Sequence, residues 1–263
     1  MTLEWDAAEY EVVSAPQTGW GADFLRIFLE RYGLRGDEAV VDAGCGTGRV
    51  TELLLRHLPR GTILAVDASE AMVEASRRRF AGDPRVRVEH EDIILLEVES
   101  PVDVIFSTAT FHWIVDHERL FGHLARLLKP GGRLVVQCGG RGNIARTLAV
   151  TERVMREDRF KDFFAGWQEV WNFADPETTR RRLEVARFEE VETWLHEEVT
   201  GFASVEELTR FLKTVVLKHH LASLPEGERD SFAAAVAARL AEERSLVVDY
   251  VRLNILATRS GTA

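Results

Sequence analysis

The residues of this 263-residue chain whose types and spacing suit chemistry begin with Asp42-Ala43-Gly44-Cys45-Gly46-Thr47-Gly48, an acid followed by three alternate glycines. The group comes directly after the apolar pair Val40-Val41, so it reads as a strand running into the turn before a helix. Glycines at such a turn permit positive φ and close approach of the backbone to a ligand. The first strand-to-helix turn is also where a doubly wound sheet leaves its ligand crevice. The spacing differs from the dinucleotide fingerprint GxGxxG, because Arg49 takes the place of the third glycine, which argues against a nicotinamide dehydrogenase. Asp67 lies about 20 residues further on, at the end of a second apolar run, where an acceptor-only carboxylate suits a vicinal diol.

His112 is the only histidine placed near an expected strand end on the crevice side. A near-neutral pKa would fit it to take a proton from a hydroxyl or carbon acid; the alternative is that it packs against or positions an acceptor. Arg141 stands between Gly139-Gly140 and Gly142, which give the backbone freedom to turn its guanidinium inward onto a carboxylate. A surface arginine paired with an acid is the plainer reading. Trp167 and Trp171 either wall off water above an acceptor or pack a core of their own. The two cysteines, Cys45 and Cys138, sit outside any ligand-spaced cluster and read as buried thiols, with no disulfide and no zinc. His219 and His220 are adjacent, about 100° apart on a helix, so they would not share a metal.

The elements that must position these groups alternate. Strands are expected at residues 40–42, 62–66, 86–88, 102–106 and 133–138, and helices at 48–58, 69–80 and 117–128. Repeated βα units predict a parallel sheet with right-handed crossovers and helices on both faces. A helix is expected earlier, at residues 21–32. Residues 144–174 are aromatic-rich and read as helical. Asp175-Pro176 opens a helix, Ser204 with Glu207 forms a capping box, and a helix around residues 232–243 follows. Strands at residues 191–199 and 246–258 complete a single domain spanning residues 1–263, with cap insertions at about 142–174 and 202–244.

A net charge of -10 repels a phosphate backbone and argues against nucleic-acid binding; Arg77–Arg79 and Arg180–Arg182 sit beside acids and read as solvated faces. No stretch reaches the ~18 apolar residues of a membrane helix. The opening Met-Thr-Leu-Glu-Trp-Asp lacks the order of a signal peptide, so a cytoplasmic protein is expected. The composition leaves the oligomeric state open.

On these motifs the chain resembles the class I S-adenosylmethionine-dependent methyltransferases, whose first motif is D/E-x-G-x-G-x-G. Ala65-Val66-Asp67-Ala68-Ser69-Glu70-Ala71-Met72 is similar to the family's second-strand motif, in which Asp67 would accept both ribose hydroxyls. Glu91-Asp92-Ile93 is similar to its adenine segment, and residues 127–134 to the turn before its fifth strand. The resemblance implies an α/β, Rossmann-like doubly wound, mostly parallel seven-stranded sheet with a helical cap. It implies S-adenosylmethionine as cofactor, S-adenosylhomocysteine as product, and no metal. The cofactor would be held by Gln17, Asp42, Gly44, Cys45, Gly46, Gly48, Asp67, Ala68, Met72, Asp92, Ile93 and Thr108.

Residues 5–10, Gln17, Phe111-His112-Trp113-Ile114, residues 139–143 and the ending Asp249-Tyr250-Val251-Arg252-Leu253 resemble the trans-aconitate methyltransferase-like group. That group usually has glutamine where this chain has His112. The likeness implies a small acceptor, anionic rather than a nucleic acid; the candidates to hold it are Tyr10, His112, Trp113, Arg141, Trp167 and Trp171. The nucleobase amino-methylation signature [DN]PP[YF] is absent; Ser107–Phe111 stands in its place. The function expected is O-methylation of a carboxylate, with His112 as the catalytic candidate. The alternatives are C- or O-methylation of a hydroxylated or 2-oxo metabolite with His112 as base, and a non-catalytic cofactor-binding protein.

Overall fold

The computed structural model describes residues 5–243 and 246–261; the outermost residues of the expected domain, and residue 244 at the end of the second insertion, lie outside them. Two N-terminal helices, a short α1 (Ala7–Val13) and a longer α2 (Ala15–Arg31), precede the alternating core. The core runs β1 (Ala39–Ala43), α3 (Arg49–Leu55), β2 (Thr62–Asp67), α4 (Glu70–Arg79), β3 (Val86–His90), β4 (Val102–Thr108), α5 (His117–Leu127) and β5 (Leu128–Gly139). After it come α6 (Ala145–Met155), α7 (Pro176–Val185) and β6 (Phe188–Gly201). The chain ends with α8 (Val205–Phe211), α9 (Lys218–Ala222), α10 (Glu226–Glu242) and β7 (Val247–Arg259).

The seven strands form one sheet in the order β3-β2-β1-β4-β5-β7-β6, with β7 antiparallel to both its neighbours and the other pairs parallel. A parallel sheet covered on both faces needs strands apolar on both sides. Val40, Val41 and Ala43 of β1 and Ile63, Ala65 and Val66 of β2 meet that need and are buried. One layer packs α2 and α3 through Phe24, Phe28 and Leu54; the other packs α5 and α7 through Phe121, Leu124 and Leu183. The strand order reverses between β1 and β4, so the crevice opens at the carboxyl ends of these strands.

Helix starts follow the expected caps. Asp175 accepts from Thr178 N at 2.9 Å, and Ser204 accepts from Glu207 N at 3.2 Å. The return bond of the capping box reaches one residue further back, from Ala203 N to Glu207 Oε2 at 2.8 Å.

Residues 144–174 depart from the helical expectation. Helix α6 ends at Met155, a single 3-10 turn spans Lys161–Phe164, and the backbone from 168 to 175 is not helical. Gly166 at φ +90 breaks the period. The following backbone bonds outward instead: Asn172 N donates to the His112 carbonyl at 2.9 Å, and Asn172 Nδ2 to that of Val115 at 2.7 Å. Tertiary hydrogen bonds thus override a helical spacing of aromatic residues. The side chains of both insertions share a second core, in which Val150, Val154, Phe160 and Phe164 meet Phe211, Leu212, Phe232 and Val236.

Candidate active site

The glycine loop leaves β1 on the carboxyl side, with Gly44, Gly46 and Gly48 all at positive φ (78°, 54° and 86°). Two of the three are there for space as well as for φ. A Cβ on Gly44 would lie 2.0 Å from Thr110 Oγ1, and one on Gly48 would lie 2.6 Å from Phe80. A Cβ on Gly46 would meet nothing within 4 Å, so this glycine faces the open crevice. Across from it, Asp67 Oδ2 accepts from Gly46 N and Asp67 Oδ1 from Ser69 N, both at 2.9 Å. The carboxylate at the end of β2 is therefore bonded to the tip of the loop, and a carboxylate has lone-pair sites for about four hydrogen bonds. This donor and acceptor set fits the ribose of S-adenosylmethionine.

Arg49 has its own task. Its guanidinium donates to the Glu11 carbonyl at 3.2 Å and Ser14 Oγ at 3.3 Å, while the Thr47 hydroxyl donates to the Glu11 carboxylate. These bonds strap α1 across the glycine loop.

The other expected cofactor residues fall around this loop. Met72 and Ile93 are buried, and Thr108 closes β4. The Ala68 carbonyl is held by His90 Nε2 at 3.0 Å, and Asp92 is exposed and caps its own loop through Ile94 N at 3.0 Å. Cys45 and Asp42 stand behind the loop rather than in the open. The Cys45 thiol is buried near Ser76 Oγ at 4.0 Å, and burial pushes its pKa well up, so only its backbone suits ligand contact. Asp42 is buried and accepts from Thr51 Oγ1 at 2.5 Å.

Burial, opposed by that hydrogen bond and aided by the Asp67 charge, pushes the Asp42 carboxyl up to about 7. A folded-state pKa above the unfolded one means that the native state binds more protons between about pH 4 and pH 7. Its stability should fall as pH rises through that window, by at most ~1.4 kcal/mol per pH unit, and level off above it. Asp42→Asn keeps the acceptor for Thr51 and removes the charge. The melting-temperature difference, variant minus wild type, is expected to grow from pH 5 to pH 8; a constant difference would contradict this state of Asp42.

His112 sits on a 3-10 turn, Phe111–Trp113, pinned where His117 Nε2 donates to the Phe111 carbonyl at 2.9 Å. Its ring is buried, and Nδ1 accepts from Gly139 N at 3.2 Å. Burial first, then the charges of Arg252 and His117, hold its pKa well below the usual histidine range. A backbone N–H only donates, so the neutral ring carries its proton on Nε2.

Aromatic rings continue from His112. Phe173 stacks on it at 5.8 Å, Trp171 stacks on Phe173 at 5.6 Å, and Trp113 lies 5.7 Å from Trp171. Trp5 links Trp113 to Tyr10, and Trp167 stacks on His220 at 4.5 Å. The structure thus brings Tyr10, Trp113, Trp167 and Trp171 into one aromatic group with His112. Burial raises the Tyr10 phenol to about 12, which keeps it a donor. Gln17 of α2 lies beside Tyr250, and its buried amide meets no partner other than that hydroxyl among the described residues.

Arg141 is not brought in. Its side chain is 74% exposed and pairs with Asp175 at 3.6 Å, while its backbone N donates to the Ala174 carbonyl at 2.9 Å. The flanking glycines are used otherwise. Gly139 and Gly140 let Phe173, Asn143, Leu195 and Leu253 close over the loop, and Gly142 takes φ +83. Sequence reasoning quoted Tyr250 and Arg252 only within the 249–253 resemblance and gave neither them nor Trp20 a place in the site, yet the three lie together. The signal was the two-residue spacing of Tyr250 and Arg252, which puts both on one face of β7.

An open cleft of about 480 Å³ lined by Tyr32, Arg35, Asp103, Lys129 and Arg133 lies at the amino ends of β4 and β5, the wrong end of the sheet for this chemistry. Among the described residues no cluster of His, Cys, Asp and Glu could hold a metal ion, and no helix is long and apolar enough to cross a membrane.

Comparison with known proteins agrees with the geometry. A methyltransferase-domain family profile matches residues 40–132. The trans-aconitate 2-methyltransferase of Methylobacterium nodulans is 35% identical over 192 residues, 73% of this chain and 67% of the relative. The one from an Acidovorax strain is 28% identical over 257 residues, 95% of this chain and 94% of the relative. Among solved structures, phosphoethanolamine N-methyltransferase 2 of Haemonchus contortus, in complex with phosphomonomethylethanolamine and S-adenosylhomocysteine, has a TM-score of 0.57 at 19% identity. The match covers 91% of this chain and 52% of that one, and it speaks to the fold.

Fold, loop and relatives define a class I S-adenosylmethionine-dependent methyltransferase acting on a small molecule. Within that class the chain belongs to the trans-aconitate methyltransferase-like group.

Proposed function

We propose that this enzyme methylates a carboxylate oxygen of a small organic acid. S-adenosylmethionine supplies an activated methyl group when bound, so the protein's work is to align the acceptor and exclude water. The glycine loop and Asp67 hold the cofactor. The rings of Trp113, Trp171 and Phe173 shield the space beside His112, and the His112 Nε2–H is the donor that orients the acceptor.

The observation that carries this reading is the hydrogen bond from Gly139 N to His112 Nδ1. It leaves a buried neutral imidazole with its basic nitrogen already engaged, poorly suited to take a proton from a hydroxyl or carbon acid. A carboxylate is ionised at neutral pH and needs no base. The relatives named for trans-aconitate, a molecule bearing carboxylates, support the same acceptor class.

The test is His112→Gln, which keeps a side-chain N–H donor. Turnover should stay within about tenfold of wild type, and both kcat profiles should be flat between pH 6.5 and 8.5. A loss above ~100-fold with both ligands still bound, or a wild-type profile rising with a pKa near neutrality, would indicate general-base catalysis and overturn the reading.

A further inference from the structure

Arg252 on β7 is 2% exposed, and among the described residues no carboxylate lies within 4.0 Å of its guanidinium. Its Nε has no hydrogen-bond partner among the described residues. The Trp20 and Tyr250 rings lie 5.1 and 6.0 Å from its central carbon. Glu198, across on β6, pairs with Tyr250 in the register and accepts from His196 Nε2 at 3.0 Å. A buried guanidinium without an anion is costly, and proteins that keep one generally meet a partner there.

The Tyr250 hydroxyl and the Gln17 amide are buried beside each other and meet no hydrogen-bond partner beyond one another among the described residues. The Tyr250 hydroxyl and the Gln17 amide nitrogen can donate to an anion alongside the guanidinium; the amide oxygen only accepts. Register places Arg252 opposite Gly139, the residue whose N–H holds His112, so the cluster borders the acceptor side of the crevice. Backbone bonds fix it there: Gly140 N donates to the Val251 carbonyl at 2.9 Å, Ile144 N to that of Asp249 at 2.7 Å, and Val251 N to Asn143 Oδ1 at 3.0 Å.

We infer that Arg252, with Tyr250 and Gln17, anchors a carboxylate of the acceptor other than the one that is methylated; the inference rests on the carboxylate reading above. The distinction follows from charge. A carboxylate paired with a guanidinium has its lone pairs engaged and is a poor nucleophile, so the reacting oxygen must belong to another group. The acceptor then carries at least two carboxylates, and Arg252 selects which end meets the methyl group.

The experiment compares wild type with Arg252→Met, a change close in volume, on trans-aconitate, a saturated dicarboxylic acid and a monocarboxylic acid of similar length. The variant should raise KM for the polycarboxylic acids about 100-fold, the value of two charge-assisted hydrogen bonds, and should erase the preference for them over the monocarboxylate. S-adenosylhomocysteine affinity should stay within about twofold, and the melting temperature without acceptor should hold or rise, because an unpaired buried charge has gone. With S-adenosylhomocysteine present, trans-aconitate should raise the melting temperature of wild type and not of the variant.

A KM within threefold of wild type, or a variant that melts lower and loses S-adenosylhomocysteine binding, would overturn the role of Arg252 and leave the carboxylate reading in place. Wild-type turnover of none of these acids would instead remove the carboxylate reading itself, and the inference with it.

Discussion

Asp67→Ala is expected to weaken S-adenosylhomocysteine binding at least ~30-fold, a floor below the ~100-fold that two charge-assisted hydrogen bonds of ~1.5 kcal/mol each would give. The side chain closes β2 at the crevice and bonds the loop tip through Gly46 N and its own turn through Ser69 N, both at 2.9 Å. In the proposed site, removing it takes away the acceptor for the ribose hydroxyls and also releases the tip of the glycine loop. The fold should survive, because Asp67 is partly exposed and Val66, Ala65 and Ile63 carry the strand's packing. Calorimetric titration checks affinity, and a melting curve checks the fold. Unchanged affinity would refute the assigned cofactor site.

Gly44→Ala and Gly46→Ala, two residues apart in one loop, should fail in different ways. Both sit at positive φ, so each alanine carries a backbone cost of about 1 kcal/mol. At Gly44 the new methyl would lie 2.0 Å from Thr110 Oγ1 and 2.5 Å from its Cγ2, so the loop and the 108–110 turn must separate. That variant should lose several degrees of melting temperature as well as cofactor binding. At Gly46 the methyl meets nothing within 4 Å of protein and projects into the crevice. Gly46→Ala should therefore melt within about three degrees of wild type while its S-adenosylhomocysteine affinity falls at least tenfold. Equal melting temperatures for the two variants would contradict the packing of Gly44 against Thr110, and normal binding by Gly46→Ala would show that the open side of the loop is not where the ligand lies.

The proposed cofactor half of the site was far more legible in the sequence than the proposed acceptor half, for a physical reason. Residues 42–48 and Asp67 are local features: a short apolar strand, glycines at a turn and a carboxylate at a strand end, each readable within a few residues. The sheet was legible for the same reason, since Val40-Val41 and residues 102–106 carry buried-strand patterns that local spacing displays. The acceptor side depends on contacts across long sequence distances. Phe173 reaches His112 because Asn172 bonds a distant carbonyl, which no helical period reports. Arg141 looked inward from its flanking glycines, yet Asp175 pairs with it outside. Arg252 stood out only as part of the 249–253 resemblance and not as a buried charge, because its burial arises only when α2, the 139–143 loop and β6 close around β7. The N-terminal helix α1 was visible only as a motif, and its role as a strap needed the Thr47–Glu11 and Arg49–Ser14 contacts.

Transfer of a labelled methyl group bears most directly on the central claim. Enzyme, S-adenosylmethionine carrying a carbon-13 methyl, and trans-aconitate at neutral pH should give a new methyl ester resonance with matching formation of S-adenosylhomocysteine. Mild alkali should then release the label as methanol, because an ester hydrolyses and a methyl ether or carbon-bound methyl does not. Label that stays on the product through alkali, or that appears only on phenols or 2-oxo acids and never on a carboxylic acid, would contradict the account.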